Sequence, residues 1–179
     1  GNPDLRPYFP YSLRINWSHN NKVQAFLSYT FSKNRISEIS SYDPSSGLTR
    51  SIKENNGDAN SLYFGFTYYG NLTKWWYTNN FFFFFYGKTV FNENPGKRSL
   101  ENTVFSLSSS QRFTINEKTT IEVMGYVSSG SYFDVTFTKP YWFMDLSVYR
   151  SVAKGNGELS LKVRDIFFSN ITRTETQFA

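Results

Sequence analysis

The sequence lacks cysteine altogether and contains a single histidine, His19, among its 179 residues. Disulfide frameworks, thiol catalysis and Cys/His zinc sites are therefore excluded, and so are most triads that need a histidine base. No two carboxylates have a spacing suited to acid–base catalysis, and we interpret Asp145 and Asp165 as charges of an ion-pair network. We accordingly expect no enzymatic activity, no catalytic residue, no metal site and no cofactor.

Long apolar runs are also missing. The longest one, residues 81–86, falls far short of the roughly 18 apolar residues that a membrane helix requires. Mean hydropathy is −0.48 although aromatic residues make up 20% of the chain, so large rings are interleaved with polar residues. Such a mixture is typical of β-strands that have one apolar and one polar face.

Alternation of apolar and polar residues with a period of two is the dominant pattern in the sequence. In the first segment, Tyr11, Leu13, Ile15 and Trp17 alternate with polar residues, and similar stripes recur along the chain. The pattern predicts an all-β fold, an antiparallel up-and-down meander of about eight strands. Only the phenylalanines of residues 81–85 break the alternation, because they must point to both faces.

The connections between the predicted strands are short turns that alternate with long polar segments. The long segments, residues 36–48, 92–98 and 128–138, have the composition of loops. If any residues contact a substrate, we expect them in these loops, although aromatic residues there fit the membrane interface equally well. The candidate contacts are Tyr42, Tyr132, Phe133 and Asp134.

Short turns at one end and long loops at the other are typical of transmembrane β-barrels, whose strands cross the bilayer with about 9–11 residues. Tryptophans near the short turns predict an aromatic girdle at one membrane interface: Trp17, Trp75 and Trp76. A Lys or Arg facing lipid at mid-depth would cost roughly 2–4 kcal/mol. We therefore predict that the strand charges opposite the apolar stripes face the lumen: Arg14, Glu122, Asp145, Lys162 and Arg164.

Alternation by itself leaves other structures open. In a soluble β-barrel or sandwich that binds a sugar or lipid, the same apolar face would be a core. A self-contained outer-membrane barrel of about eight strands is a further possibility. Nucleic acid is not an expected partner, because the charges behind the net +5 are scattered and no stacking motif is present.

Four segments resemble TonB-dependent outer-membrane receptors. Residues 1–7 resemble the start of the late barrel strands of that family, and residues 72–76 resemble one of its periplasmic turns. Residues 139–148 are similar to a strand of its penultimate region, and residues 154–167 to a strand with a conserved Asp-Ile-Phe ending. The similarity follows the chain in order and is closest to the outer-membrane β-barrel receptors common in Bacteroidetes.

This resemblance implies that residues 1–179 are part of a larger transmembrane barrel of about 22 strands, without the plug, the TonB box and the final strands. It implies a bacterial outer-membrane receptor that takes up a nutrient such as an iron chelate, a vitamin or a glycan. Its partners would be outer-membrane lipid, the nutrient, and TonB acting through a plug outside this chain. It also favours Asn56-Gly57 as a bulge in one long strand over a tight turn.

Overall fold

The computed structural model of the chain describes residues 2–43, 46–93, 96–133 and 136–176. Regular structure in these residues is β-strand except for one single-turn 3-10 helix, Ala153–Gly155. The strands are β1 (Tyr11–His19), β2 (Val23–Ser32), β3 (Ile36–Asp43), β4 (Leu48–Asn55), β5 (Asp58–Asn71), β6 (Trp76–Glu93), β7 (Gly96–Asn116), β8 (Thr119–Ser128), β9 (Ser131–Phe133), β10 (Thr136–Thr138), β11 (Tyr141–Val152), β12 (Gly157–Val163) and β13 (Thr174–Thr176). The predicted all-β fold is confirmed.

Eight of these strands form the main sheet, in the order β1-β2-β5-β6-β7-β8-β11-β12. The ladders of β7 with β8, β8 with β11 and β11 with β12 are antiparallel. Neighbours in the sheet follow one another along the chain, apart from the small elements inserted between them. This is the predicted up-and-down meander of about eight strands, with β1 and β12 at the two ends of the order.

The three segments predicted as long loops contain strands, so that prediction is wrong in its details. β3 and β4 pair with each other over their whole lengths as a two-stranded sheet. β6 extends to Glu93 and β7 begins at Gly96, while β9, β10 and β13 form a three-stranded sheet. Polar composition is typical of irregular segments, but a polar hairpin satisfies the same backbone groups by pairing.

Asn56 and Gly57 interrupt one long strand and do not form a hairpin turn, because β4 pairs with β3 whereas β5 pairs with β2. Arg35 N donates to Gly57 O at 2.9 Å, and Asn56 N donates to Arg35 O at 3.0 Å, so backbone pairing continues across the irregularity. Gly57 has a φ of +106°, and a Cβ there would lie 2.5 Å from the Val90 carbonyl oxygen. The close approach of two backbones therefore requires glycine at this position.

The chain divides into two compact units. The first comprises Gly1–Arg14, Ser28–Leu62 and Tyr86–Asn102, and the second comprises Ile15–Leu27, Tyr63–Phe85 and Thr103–Ala179. In the first unit, the Asn55 amide holds the segment before β1, accepting from Arg6 N at 2.6 Å and donating to Arg6 O at 2.8 Å. The second unit contains the ladder of β8, β11 and β12 and the three-stranded sheet.

An apolar core is almost absent from the described residues. Ala59 is their one buried hydrophobic residue. Apart from three glycines, the other buried residues are polar or charged: Ser32, Asn56, Thr78, Ser128, Asp145 and Ser147. Because a water-soluble domain of this size is stabilised mainly by burying large apolar side chains, the described residues lack the feature that such a domain depends on.

Candidate functional site

The strands β7, β8, β11 and β12 separate their side chains onto two faces, because directly paired residues of antiparallel strands lie on the same side of the sheet. The registers place the apolar residues together on one side, here called the apolar face: Leu107, Phe113, Ile121, Val123, Val127, Trp142, Met144, Leu146, Val148, Leu159, Leu161 and Val163. The opposite side, here called the polar face, carries Ser108, Ser110, Arg112, Glu122, Asp145, Ser147, Ser160 and Lys162.

The apolar face is open to the surroundings. Leu161 is 65% exposed and Trp142 is 46% exposed. A sandwich or a soluble barrel would bury this face against other apolar side chains in a dry interior. The described residues form no such interior.

Charged residues of the polar face meet in one row across four strands. Glu122 pairs with Arg112 of β7 and with Ser147 of β11, which in turn pairs with Lys162 of β12. Arg112 Nη2 lies 3.0 Å from Glu122 Oε2. Lys162 Nζ lies 3.6 Å from Oδ2 of Asp145, which is buried on the same face. The structure thus brings together three of the predicted lumen charges as members of ion pairs.

One member of this row, Arg112, is not among the lumen charges predicted from the sequence. Arg112 lies at the same alternate positions of β7 as Ser108 and Ser110 and therefore on the same face. The period-two argument that selected Glu122 would have found it. Ser110 Oγ also donates to Glu122 Oε1, at 3.1 Å. The carboxylate of Glu122 therefore has two partners from β7.

The two remaining predicted lumen charges lie elsewhere. Arg14 belongs to the first unit and lies on the same side of β1 as Ser12, which is two positions away. The hydroxyl of Ser12 is hydrogen-bonded to that of Thr30 at 3.0 Å. Arg164 was predicted to lie on a strand, but β12 ends at Val163. The strand ends there because the backbone turns at Asp165, which has a φ of +49°. Asp165 N donates to the buried Asp145 carboxylate at 3.0 Å, so the two aspartates are linked through a backbone group.

Aromatic rings accompany the charges on the polar face. Tyr126 lies 5.7 Å from Tyr141 and 5.5 Å from Phe143, measured between ring centroids. A side chain at Gly65 would overlap the ring of Phe26, whose Cε1 is 2.1 Å from the ideal Cβ position. The polar face is therefore a mixture of charges, hydroxyls and stacked rings.

The phenylalanines of β6 point to both faces, as expected. Phe85 lies 4.9 Å from Tyr63, and Phe83 lies 6.5 Å from the same ring. Phe82 instead contacts Phe64, at 6.2 Å. Phe82 thus contacts one side of β5 and Phe83 and Phe85 contact the other, and each of these three rings has an aromatic neighbour on its own side.

A group of polar side chains interrupts the apolar side of β6 and β7, and we call it the amide network: Trp76, Thr78, Asn80, Ser109 and Gln111. Trp76 Nε1 donates to Gln111 Oε1 at 2.8 Å, and Gln111 Nε2 donates to Thr78 Oγ1 at 2.8 Å and to Ser109 Oγ at 2.7 Å. Asn80 Nδ2 donates to Thr78 Oγ1 at 2.7 Å and Asn80 Oδ1 accepts from Ser109 Oγ at 2.8 Å. The polar atoms satisfy one another, and Thr78 is only 2% exposed.

Beyond this network, the same side of β6 remains free of charge for a limited length. The alternate positions from Trp76 to Tyr86 carry no ionisable acid or base other than the phenol of Tyr86, and the next alternate position is Lys88. Lys88 Nζ lies 2.6 Å from Glu101 Oε1 of β7. The hydrogen bond and the charge of Glu101 raise the pKa of Lys88, and those of Lys88 lower the pKa of Glu101.

The three predicted girdle tryptophans all lie beside short turns in the second unit. Trp17 is 55% exposed, precedes the turn after β1 and stacks on His19 with a centroid distance of 6.0 Å. Trp75 and Trp76 stand at the start of β6, 6.1 Å and 5.7 Å from the ring of Phe113. Their placement next to turns agrees with the sequence pattern, and their role as a girdle stays a prediction.

Of the predicted loop contacts, Tyr132 is described in full. It lies in β9, and its ring centroid is 4.7 Å from that of Phe137 in β10. Asp134 lies outside the described residues, as do the side chains of Tyr42 and Phe133. The role of these four residues in substrate contact therefore stays a prediction.

Among the described residues, no three or more His, Asp or Glu side chains form a group able to hold a metal ion. Within the same ranges, no helix has the length and apolar character needed to cross a membrane.

Comparison with known proteins gave one match. The family described as the outer membrane protein β-barrel family matches residues 1–179, which is the whole chain. No curated protein and no solved structure matches the chain.

Proposed function

Because the chain belongs to the outer membrane protein β-barrel family and is located in the bacterial outer membrane, we propose that its sheet forms part of the wall of a TonB-dependent receptor. In this proposal the apolar face contacts lipid and the polar face lines the interior. The observation that carries the proposal is the exposed apolar face, because a side that is apolar and unburied is suited to contact with hydrocarbon.

The length of the charge-free stretch on β6 supports this orientation. From Trp76 to Tyr86 the strand has 11 residues, which is about the 9–11 that a tilted strand needs to cross the hydrocarbon. The ion pair of Lys88 and Glu101 then lies beyond the apolar band, where water can solvate both charges. In this proposal the tryptophans beside the short turns lie at the other boundary of the band, where an aromatic girdle is expected.

The polar face supports a role in transport. A barrel interior tolerates charges when they are paired, as they are between Arg112 and Glu122 and between Lys162 and Asp145. The finer proposal of a Bacteroidetes-type receptor rests on the four segments that resemble this family. In that role, the receptor takes up a nutrient such as an iron chelate, a vitamin or a glycan, and TonB acts through a plug outside these residues.

Cross-linking in the native membrane tests the proposal. Cells that produce the protein are treated with a short amine-reactive cross-linker, and the protein is isolated and probed for TonB. We expect a covalent adduct with TonB whose yield rises when the nutrient-depleted medium is supplemented with the transported compound. A protein that remains free of TonB under all nutrient conditions tested contradicts the receptor proposal.

A second candidate is a self-contained barrel of eight strands. The main sheet favours it, because it contains eight strands in sequential order and an even number allows antiparallel closure. In that case β1 and β12 would pair with each other, whereas in a larger barrel both would pair with other strands.

Disulfide trapping distinguishes the two candidates cleanly, because the natural sequence contains no cysteine. Ile15→Cys on β1 is combined in turn with cysteine replacements of Leu159, Leu161 and Val163 on β12. A small barrel gives an oxidised monomer in at least one register, with cysteine Cα atoms within about 7 Å. A receptor barrel gives none, and the single-cysteine variants control for cross-links between molecules.

A further inference from the structure

A shallow groove lies on the apolar side of the first unit, where β1, β2 and β5 are neighbours in the sheet. Its volume is about 610 Å³, and it is open along one side. The residues that line it are Tyr11, Ser12, Leu13, Tyr29, Phe31 and Asn60. Four of the six present large apolar or aromatic surfaces, so the groove is suited to a hydrocarbon chain.

The groove lies in the outward half of the proposed membrane band. Leu13 lies six positions before His19, the last residue of β1, and a short turn follows His19. At about 3.3 Å per residue and a tilt of about 40°, this places Leu13 roughly 15 Å from the turn, beyond the midplane of a band about 25 Å tall. Short turns of such barrels face the periplasm, so the groove faces the outer leaflet.

A cation stands at the outward end of this groove. Lys33 Nζ lies over the ring of Phe31, 5.9 Å from its centroid, at the limit of a cation–π contact. Lys33 follows the last residue of β2, so its ammonium is near the level at which lipid headgroups begin. In the described part of the chain, no carboxylate forms an ion pair with it. The nearby Asp58 carboxylate accepts a hydrogen bond from Asn34 N at 3.2 Å.

The groove also has one polar contact, on its β5 side. Tyr29 OH donates to Asn60 Oδ1 at 3.3 Å. The phenol oxygen retains lone pairs, and the Asn60 amide retains donors, for a polar group near the top of an acyl chain. The groove therefore combines an apolar floor, a polar wall and a cation at the outward end.

We propose that this groove binds one molecule of a phosphorylated, multiply acylated glycolipid of the outer leaflet, of the lipid A class. One acyl chain lies against Leu13 and Phe31, and a phosphate lies beside the ammonium of Lys33. Charge complementarity and the outward position select this lipid over an uncharged one. The inference rests on the proposed orientation of the apolar side toward lipid.

Native mass spectrometry of the purified protein in detergent tests the inference. The protein is titrated with lipid A, with dephosphorylated lipid A and with phosphatidylglycerol. We expect one molecule of lipid A to bind more tightly than either comparison lipid. Lys33→Ala is expected to weaken lipid A binding about fivefold, the effect of removing one cation near an anionic headgroup, and Lys33→Arg to retain it.

The matched control is Lys22→Ala, which removes an exposed lysine at the opposite end of β2. It is expected to leave lipid A binding unchanged. Equal weakening by Lys33→Ala and Lys22→Ala, or equal binding of the dephosphorylated lipid, overturns the specific site. Tighter binding of phosphatidylglycerol overturns the assignment to lipid A.

Failure of this site is distinguishable from failure of the proposed orientation. Whether the apolar face contacts lipid is measured at Val123 and Met124 of β8, which do not line the groove. If those positions respond as expected and lipid A still does not bind, the groove inference alone is wrong.

Discussion

A lysine at two adjacent positions of β8 provides the sharpest test of which face contacts lipid. Val123 lies on the apolar face, where it pairs with Leu146. Met124 lies on the polar face, where its direct partner on β11 is Asp145. The two positions have nearly the same depth and lie in the same strand, so Val123→Lys and Met124→Lys differ chiefly in the side to which the ammonium points.

The magnitude follows from the depth of these residues. β8 has 10 residues, which at about 3.3 Å each and a tilt of about 40° span roughly 25 Å, the height of the apolar band. Val123 is the fifth residue and lies near the middle. A lysine facing lipid at this depth is expected to destabilise the protein by about 2–4 kcal/mol. Met124→Lys places its ammonium beside Asp145 and is expected to cost less than about 1 kcal/mol.

The assay is a reversible urea titration of the protein in lipid bilayers, followed by tryptophan fluorescence. Val123→Met and Met124→Leu serve as size-matched apolar controls for the two sites. The reasoning is refuted if Met124→Lys destabilises the protein as much as Val123→Lys, or more. A larger loss for Met124→Lys than for Val123→Lys would indicate that the polar face is the side in contact with hydrocarbon.

In the amide network, Gln111→Leu leaves the Trp76 indole N–H without its acceptor and is expected to destabilise by about 1–3 kcal/mol in the same titration, with a smaller loss when Trp76→Phe is also present. Gly57→Ala is expected to cost about 1–3 kcal/mol of unfolding free energy, because alanine is strained at a φ of +106° and its Cβ meets a backbone carbonyl. A double-mutant cycle of Lys88→Met and Glu101→Gln is expected to show favourable coupling between the two side chains when the pH lies between 4.5 and 10.5, the ordinary pKa values of Glu101 and Lys88. Because the pKa of Glu101 is lowered, that coupling is lost as pH falls through the folded value; because the pKa of Lys88 is raised, it is lost as pH rises through the folded value.

Each of these expectations has a contradicting result. Equal losses from Gln111→Leu with and without the tryptophan replacement would show that the indole bond contributes nothing. Unchanged stability of Gly57→Ala would mean that the long strand relaxes around the new methyl group. Coupling between Lys88 and Glu101 that persists when the Glu101 carboxyl is protonated in the folded protein would rule out an ion pair as its source.

Much of the fold was predictable from local patterns. The stripes of β8 and β11 identify both strands and both faces, because successive side chains of a strand point to opposite sides whatever the strand's neighbours are. For the same reason Glu122, Asp145 and Lys162 lie on the side opposite the apolar stripe. Residues 36–48 were predicted as a loop because their polar composition does not distinguish irregular backbone from an exposed hairpin.

The amide network and the groove were not predictable in this way. Trp76 and Gln111 are 35 positions apart, and nothing in either segment indicates that an indole N–H of one will meet an amide oxygen of the other. Their contact depends on the register between β6 and β7, which is set by the length and pairing of the hairpin that joins them. The placement of Leu13 and Phe31 around one groove likewise depends on how neighbouring strands are aligned.

The sequence by itself determined the number of strands in the main sheet and the separation of apolar from polar side chains, since period-two alternation is a local property. Only the tertiary structure decided that the apolar face is left uncovered, and that Arg112 completes the row of charges with Glu122. Both depend on which strands become neighbours and in what register, and backbone hydrogen bonds between distant segments set that register.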